Sequence, residues 1–169
     1  MQEANSLRDR WLSYGIPLVV ALLVLTADQV AKILVRGTLA VGESMPQEGA
    51  IRITHVTNSG IIFGIDAPKA VSVILPALVI VVALFLYFRY GPFDSWLVNL
   101  ATALFVGGSL GNLIDRAAFG EVTDFIDIGL WSDYHWPAFN VADASILVGT
   151  FLFLIFVFKL RSKRAIKQG

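Results

Sequence analysis

Residues Val141–Phe158, VADASILVGTFLFLIFVF, form an apolar run in which Asp143 is the only charged side chain. A helix of this length is about long enough to cross a ~30 Å hydrocarbon core. A carboxylate just inside the start of such a span is costly to bury, so it is a functional candidate by default. The run therefore predicts a membrane-spanning helix with a site at its beginning.

Three further apolar runs contain no charged residue at all, and they cover Trp11–Ala27, Ala70–Phe88 and Ser95–Ile114. The 169-residue chain is 56% hydrophobic and 15% charged, with a mean hydropathy of +0.71. This composition is typical of an integral membrane protein, and the length favours one domain. We predict a mainly α-helical membrane protein with a single domain and four transmembrane spans, at approximately 11–34, 70–89, 95–115 and 141–159.

The basic residues predict that both termini are cytoplasmic. In that orientation eight of the 13 Lys and Arg residues lie inside and five outside, which agrees with the excess of positive charge on the cytoplasmic side of membrane proteins. Asp28, Asp115 and Asp143 then meet at the outer boundary of the membrane. The inner set is Arg8, Arg10, Arg89, Lys159, Arg161, Lys163, Arg164 and Lys167.

Two polar segments lie outside the membrane in this topology. In the first, RITHVTN (Arg52–Asn58) alternates β-branched residues with a period of two, which predicts a small outer β-sheet from about Gly42 to Gly64. This sheet is either a platform for an extended peptide or an ordinary hairpin. The second segment is rich in aromatic residues near Phe125–Trp136, and we predict a mobile amphipathic segment there, with Asp127 and Asp133 as solvated loop acids.

Three kinds of chemistry compete for the site. Gly107–Gly111 matches the G-x-S-x-G string of serine hydrolases, but Ser109 needs a nearby base, and both histidines fall in the outer segments. Close helix packing explains Gly107 and Gly111 better. The chain has no cysteine and no H-E-x-x-H spacing, so we expect no metal and no organic cofactor.

The remaining hypothesis is a pair of aspartates, Asp124 and Asp143. Two carboxylates close together cannot easily both ionise, so they can divide the roles of base and acid in hydrolysis by water. Asp143 alone could instead be an acid favoured by a helix N-terminus. Asp28 and Lys32 have the i, i+4 spacing of a helical ion pair.

Five motifs in this order resemble the bacterial lipoprotein signal peptidase (signal peptidase II) family. They are Asp28-Gln29 with Lys32, Asn58-x-Gly60-x-x-Phe63, GNLIDR at Gly111–Arg116, G-x-V-x-D-F-I at Gly120–Ile126, and FNVAD at Phe139–Asp143. The resemblance implies an aspartyl endopeptidase of the bacterial inner membrane, with its active site at the outer face. Such an enzyme removes signal peptides from diacylglyceryl-modified prolipoproteins, cutting just before the lipidated cysteine.

The resemblance also implies roles for individual residues, with Asp124 and Asp143 as the catalytic dyad. The residues that bind substrate or support the site are then Asn58, Gly60, Asn112, Arg116, Asn140, Asp28, Lys32 and Asp115. Ile61 and Ile62 depart from the two small alanines usual in the family, which affects the local fit of substrate or lipid. The partners implied are prolipoproteins and membrane lipid, with no nucleic acid, and we expect a monomer.

The alternative to an enzyme is a small ion- or proton-coupled membrane transporter or scaffold. That function predicts acids near the middle of spans and a repeat among the helices. The sequence shows neither, and it lacks the G-x-G-D motif of presenilin-like proteases.

Overall fold

The computed structural model describes residues 14–60, 68–90, 95–131 and 134–168. Within them it contains four helices and four strands longer than one residue. In chain order these are α1 (Ile16–Thr38), β1 (Ser44–Met45), β2 (Ile51–Asn58), α2 (Lys69–Tyr90), α3 (Trp96–Phe119), β3 (Val122–Trp131), β4 (Tyr134–Phe139) and α4 (Val141–Gln168).

All four helices contain a segment that is long and apolar enough to cross a membrane. These segments are Ile16–Thr38, Lys69–Arg89, Trp96–Phe119 and Val141–Lys159. The central helix is α3, because 61% of its apolar window is buried against the rest of the protein, compared with 17% or less for the other three. The predicted fold class, four membrane helices with a small sheet, is confirmed.

Glycines let the neighbouring helices approach α3 closely. A Cβ atom on Gly107 would lie 2.6 Å from the Ala21 carbonyl oxygen of α1, and one on Gly108 would lie 2.5 Å from the Ala142 carbonyl oxygen of α4. No real side chain tolerates such distances without moving the backbone. The role predicted for Gly107, close helix packing, therefore agrees with the structure.

The first helix runs to Thr38, four residues beyond the predicted end of its span at 34. Lys32 is fully buried and paired, and the Arg36 guanidinium lies 4.6 Å from the centroid of the Phe119 ring. These charges have partners inside the protein, so the helix continues past them.

The strands form one antiparallel sheet in the order β1-β2-β3-β4. Half of it comes from the segment predicted as a mobile amphipathic region near Phe125–Trp136. The amphipathic pattern of this segment is therefore that of a β-strand. Its buried residue Phe125 packs on Val35 and Leu39, at the end of α1. Residues 61–64 of the predicted sheet and Asp133 lie outside the described residues.

Asp127 is not a solvated loop acid, so this prediction was wrong. Its side chain is buried in the sheet, where Arg52 Nε donates to Oδ2 at 3.0 Å and His135 Nδ1 lies 2.7 Å from Oδ1. Burial raises the pKa of Asp127, but the hydrogen bonds from Arg52 and His135 outweigh it and lower the pKa overall. The partners come from β2 and β4, which a local pattern does not reveal.

We predict that Gly108→Leu disrupts the contact of α3 with α4, because the added side chain meets the backbone of Ala142. Thermal unfolding in detergent should show a large fall in stability, about 1–3 kcal/mol or more. Gly37→Leu, the same substitution at an exposed position of α1 where an added Cβ meets no atom within 4 Å, is the control and should change stability little. Equal stability of the two variants would contradict this packing.

The sheet connects α1 to α2 and α3 to α4, so both of its halves lie at one end of the bundle. We predict that this end is outside the cell. In the cysteine-free chain, single cysteines at Glu48 and Ser132 should react with an impermeant reagent in intact cells, and one at Ser162 only after permeabilisation. The opposite pattern would overturn the orientation.

Candidate active site

Asp124 and Asp143 are brought together by Asn140, which lies between β4 and α4. Asn140 Nδ2 donates to Asp124 Oδ1 at 2.7 Å, and the Asn140 backbone N–H donates to Asp143 Oδ2 at 3.2 Å. The two acids are distant in sequence and stand on different elements, a strand and a helix. One asparagine therefore contacts both.

The local sequence explains why Asp143 points at Asn140. Since α4 begins at Val141, Asn140 occupies the N-cap position and Asp143 lies three residues further on. The Asp143 backbone N–H donates to Asn140 Oδ1 at 2.8 Å, while Asp143 Oδ2 accepts the Asn140 N–H. This reciprocal pair is a capping box, which satisfies two backbone donors at the helix start.

The second oxygen of Asp143 is bound from α3. Asn112 Nδ2 donates to Asp143 Oδ1 at 2.7 Å, and Asn112 Oδ1 accepts from Lys32 Nζ at 2.9 Å and from Asn140 Nδ2 at 3.1 Å. Both side-chain oxygens of Asp143 are thus held by amide N–H groups. Helix capping accounts for only one of them.

Asp124 is 2% exposed. Its pKa is raised to about 6, because burial and the neighbouring charge of Asp143 together outweigh the hydrogen bonds from Asn58 and Asn140, which act in the opposite direction. Asn58 Nδ2 donates to Asp124 Oδ2 at 3.0 Å. A carboxyl group with this pKa exchanges its proton close to neutral pH.

The sheet residues Asn58 and Gly60 are connected to α3. The Gly60 N–H donates to Asn58 Oδ1 at 3.0 Å, and Arg116 Nη2 donates to the Gly60 carbonyl oxygen at 3.0 Å. The first bond fixes which end of the Asn58 amide faces Asp124. The second ties the end of β2 to the membrane helix beside the dyad.

A buried ionic cluster lies beneath these amides. Lys32 Nζ is 2.8 Å from Asp28 Oδ2 and 3.3 Å from Asp115 Oδ2, and all three side chains are fully buried. The expected i, i+4 ion pair of Asp28 and Lys32 is therefore present. Asp28 Oδ1 accepts the Ala142 N–H at 2.9 Å, and Asp115 Oδ2 accepts the Thr123 N–H at 3.1 Å.

All ten predicted site residues belong to this connected network, whereas Ile61 and Ile62 lie outside the described residues. Three members were missed as site residues, Gln29, Arg36 and Thr123, and Gln29 Nε2 donates to Asp115 Oδ1 at 3.2 Å. Arg36 Nη1 is 3.4 Å from Asp115 Oδ1 and donates to Thr123 Oγ1 at 3.0 Å. The spacing of Arg36, four residues after Lys32 on the same helix face, was the available signal.

The two histidines are engaged away from Ser109. His55 Nδ1 lies 2.9 Å from the Leu39 carbonyl oxygen, and His135 contacts Asp127 on the sheet. Among the described residues, no group of three or more His, Asp or Glu side chains is arranged to hold a metal ion. That the reaction needs no cofactor stays a prediction.

Comparison with known proteins gives the same family from sequence and from structure. Residues 20–159 match the family model described as Signal peptidase (SPase) II. A protein of Geobacter sulfurreducens named Lipoprotein signal peptidase is 40% identical over 157 residues, which cover 90% of this chain and 98% of the relative. A protein of the same name from Syntrophotalea carbinolica is 40% identical over 147 residues, which cover 84% of this chain and 90% of the relative.

Two solved structures have the same fold. One, described as a bacterial membrane enzyme solved by the in meso method at 2.3 Å resolution, matches with a TM-score of 0.80 and 29% identity over 89% of this chain and 92% of that one. A second bacterial membrane enzyme, solved at 1.9 Å resolution, matches with a TM-score of 0.75 and 30% identity over 86% and 94%. The chain therefore belongs to the signal peptidase (SPase) II family.

Proposed function

We propose that this protein is a membrane aspartyl endopeptidase that removes signal peptides from prolipoproteins, cutting just before the diacylglyceryl-modified cysteine. The observation that carries the proposal is the coupling of Asp124 to Asp143 through Asn140. The names of the relatives support the substrate class, and the four apolar helices support a protein of the bacterial inner membrane.

In the proposed reaction Asp143 is the base and Asp124 the acid. Asp143 takes a proton from water, whose oxygen attacks the scissile carbonyl carbon, while the Asp124 proton passes to the carbonyl oxygen. Asp124 then recovers a proton from one hydroxyl of the tetrahedral intermediate, as the C–N bond breaks and Asp143 protonates the leaving nitrogen. Burial that raises the pKa of Asp124 supports its role as the acid.

The position of the dyad suits a lipidated substrate. Asp143 lies in the first turn of a membrane helix, and Asp124 lies on the sheet beside it. In the orientation we propose, with both termini cytoplasmic, the active site lies at the outer face. Acyl chains in the outer leaflet would hold the modified cysteine at that depth, so membrane lipid contributes to specificity. We expect the enzyme to act as a monomer.

The transporter or scaffold alternative is not favoured by the site. Asp28, Asp115 and Asp143 gather at the sheet end of the bundle, and each has hydrogen-bonding partners within the protein. An ion pathway requires polar groups distributed through the depth of the membrane. The described part of the chain gathers its carboxylates at one end instead.

We predict that the purified protein cleaves a diacylglyceryl-modified prolipoprotein and cleaves the unlipidated form far more slowly, because the acyl chains position the scissile bond. Gel shift and mass spectrometry of the products measure both the rate and the cut site. The control is the lipidated substrate with its cleavage region scrambled. If neither form is cut, the proposed function fails.

We predict that Asp124→Asn and Asp143→Asn each lower kcat by about 10²–10⁴-fold, because an amide cannot exchange the proton. Asp124→Asn should leave stability at pH 8 unchanged or higher. The folded pKa of about 6 exceeds the ordinary 3.8, so wild-type stability falls as pH rises between these values, by on the order of 2–3 kcal/mol. Thermal unfolding in detergent at pH 5 and pH 8 measures the part of this change that lies above pH 5, about half of it.

The controls for the dyad remove polar groups elsewhere. Asp127→Asn should lose stability, because Arg52 loses its ionic partner, yet keep most of its cleavage activity. Ser109→Ala should also remain active. Substantial turnover by either dyad variant, at equal membrane levels of enzyme, would rule out the aspartyl mechanism, and loss of activity in a folded Ser109→Ala would revive the serine one.

A further inference from the structure

Lys32 contacts the side-chain amide of Asn112, which in turn contacts Asp143. Its ammonium is fully buried and reaches three acceptors, Asp28 Oδ2 at 2.8 Å, Asn112 Oδ1 at 2.9 Å and Asp115 Oδ2 at 3.3 Å. A protonated lysine has three N–H donors and no acceptor. All three donors are therefore used, and one of them is directed at an amide rather than at a carboxylate.

This contact, together with a hydrogen bond from Asn140, determines which end of the Asn112 amide faces Asp143. An asparagine can turn its oxygen or its nitrogen toward a neighbour, and the surrounding hydrogen bonds decide between the two. Because Lys32 only donates, Asn112 must present Oδ1 to it, and Asn112 Nδ2 is left facing Asp143 Oδ1 at 2.7 Å. In the opposite orientation two oxygens would face each other.

Asn140 also donates to Asn112 Oδ1, at 3.1 Å, but its own orientation is fixed separately. Asn140 Oδ1 accepts the Asp143 backbone N–H, which leaves Nδ2 to face Asp124 and Asn112. Asn140 is thus oriented by the start of α4. Asn112 Oδ1 therefore has two donors, the Asn140 amide at the start of α4 and the Lys32 ammonium of α1, and Lys32 is the nearer and the charged one.

We propose that Lys32 is a positioning residue for the reaction: it holds Asn112 with its N–H toward Asp143, so that Asp143 is kept as a hydrogen-bond acceptor ready to take a proton from water. This inference rests on the proposed dyad. It gives Lys32 a second role beside neutralising the buried acids Asp28 and Asp115. Lys32 performs this role through its hydrogen bond to the Asn112 side chain.

The charges of the cluster allow Lys32 to be removed without leaving an unbalanced ion. Asp28 and Asp115 are balanced by Lys32 and Arg36, and Arg36 Nη1 lies 3.4 Å from Asp115 Oδ1. In Asp28→Asn/Lys32→Met one acid and one base are lost together. The new amide keeps an oxygen for the Ala142 N–H, which Asp28 Oδ1 accepts, so the helix contact is retained.

The experiment measures kcat and KM with lipidated prolipoprotein in detergent micelles. Asp28→Asn/Lys32→Met should lower kcat about 10- to 100-fold, the effect of losing one hydrogen bond to a charged group, and change KM less than about threefold.

Coupling to Asn112 separates positioning from general support of the fold. Asn112→Ala should produce a similar fall in kcat, and adding Asp28→Asn/Lys32→Met to it should cause little further loss, because both changes remove the same hydrogen bond. If Lys32 only stabilised the bundle, the two losses would multiply. If the Met variant does not insert, Asp28→Asn/Lys32→Gln replaces it, since a glutamine amide accepts as well as donates.

The matched control removes a neutral ion pair from the sheet. Arg52→Gln/Asp127→Asn breaks the pair in which Arg52 Nε lies 3.0 Å from Asp127 Oδ2, and it should lower stability while leaving kcat and KM close to those of the wild type. An unchanged kcat in the Lys32 variants, or multiplying losses with Asn112→Ala, would overturn the positioning role. Failure of the dyad itself is seen separately, as turnover by Asp124→Asn or Asp143→Asn.

Discussion

The structure depends on a buried lysine ammonium held between two carboxylates. Lys32 contacts Asp28 and Asp115, and through them the cluster reaches the backbone at the start of α4 and of β3. An uncompensated charge at such a place costs about 3–5 kcal/mol, so α1, α3, α4 and the sheet are stable only in the arrangement that completes all the pairs. Asp143, one of the two proposed catalytic acids, is connected to this cluster through one amide side chain, that of Asn112.

Local features of the sequence predicted those parts of the fold that interactions between residues close in sequence determine. A membrane of fixed thickness sets the length of each uncharged run, so four spans follow from gaps between charges. The Asp28–Lys32 pair follows from helix periodicity. The pairing of β2 with β3 does not, since Arg52 meets Asp127 across 75 residues of sequence, and no local pattern records that contact. The pattern of the aromatic segment near Phe125–Trp136 therefore predicted its amphipathic character, but it did not predict that the segment forms two strands of the sheet.

The candidate site was predicted as a set of residues but not as a geometry. Sequence places Asp124 and Asp143 at the same membrane face, whereas their coupling depends on the orientations of two asparagine amides. Those orientations follow from donors that are far away in the chain, such as Lys32 for Asn112. Arg36 was missed for a related reason, because its partners Asp115 and Thr123 lie 79 and 87 residues away.

The helix-capping and catalytic interpretations of Asp143 do not exclude each other, because its two oxygens serve different purposes. Oδ2 completes the capping box with Asn140, and Oδ1 receives the N–H of Asn112. Asp143 lies in the first turn of a helix, whereas Asp124 lies on a strand, where burial dominates and raises its pKa to about 6. Two chemically identical side chains thus stand in different surroundings, and we propose that this asymmetry lets one act as base and the other as acid.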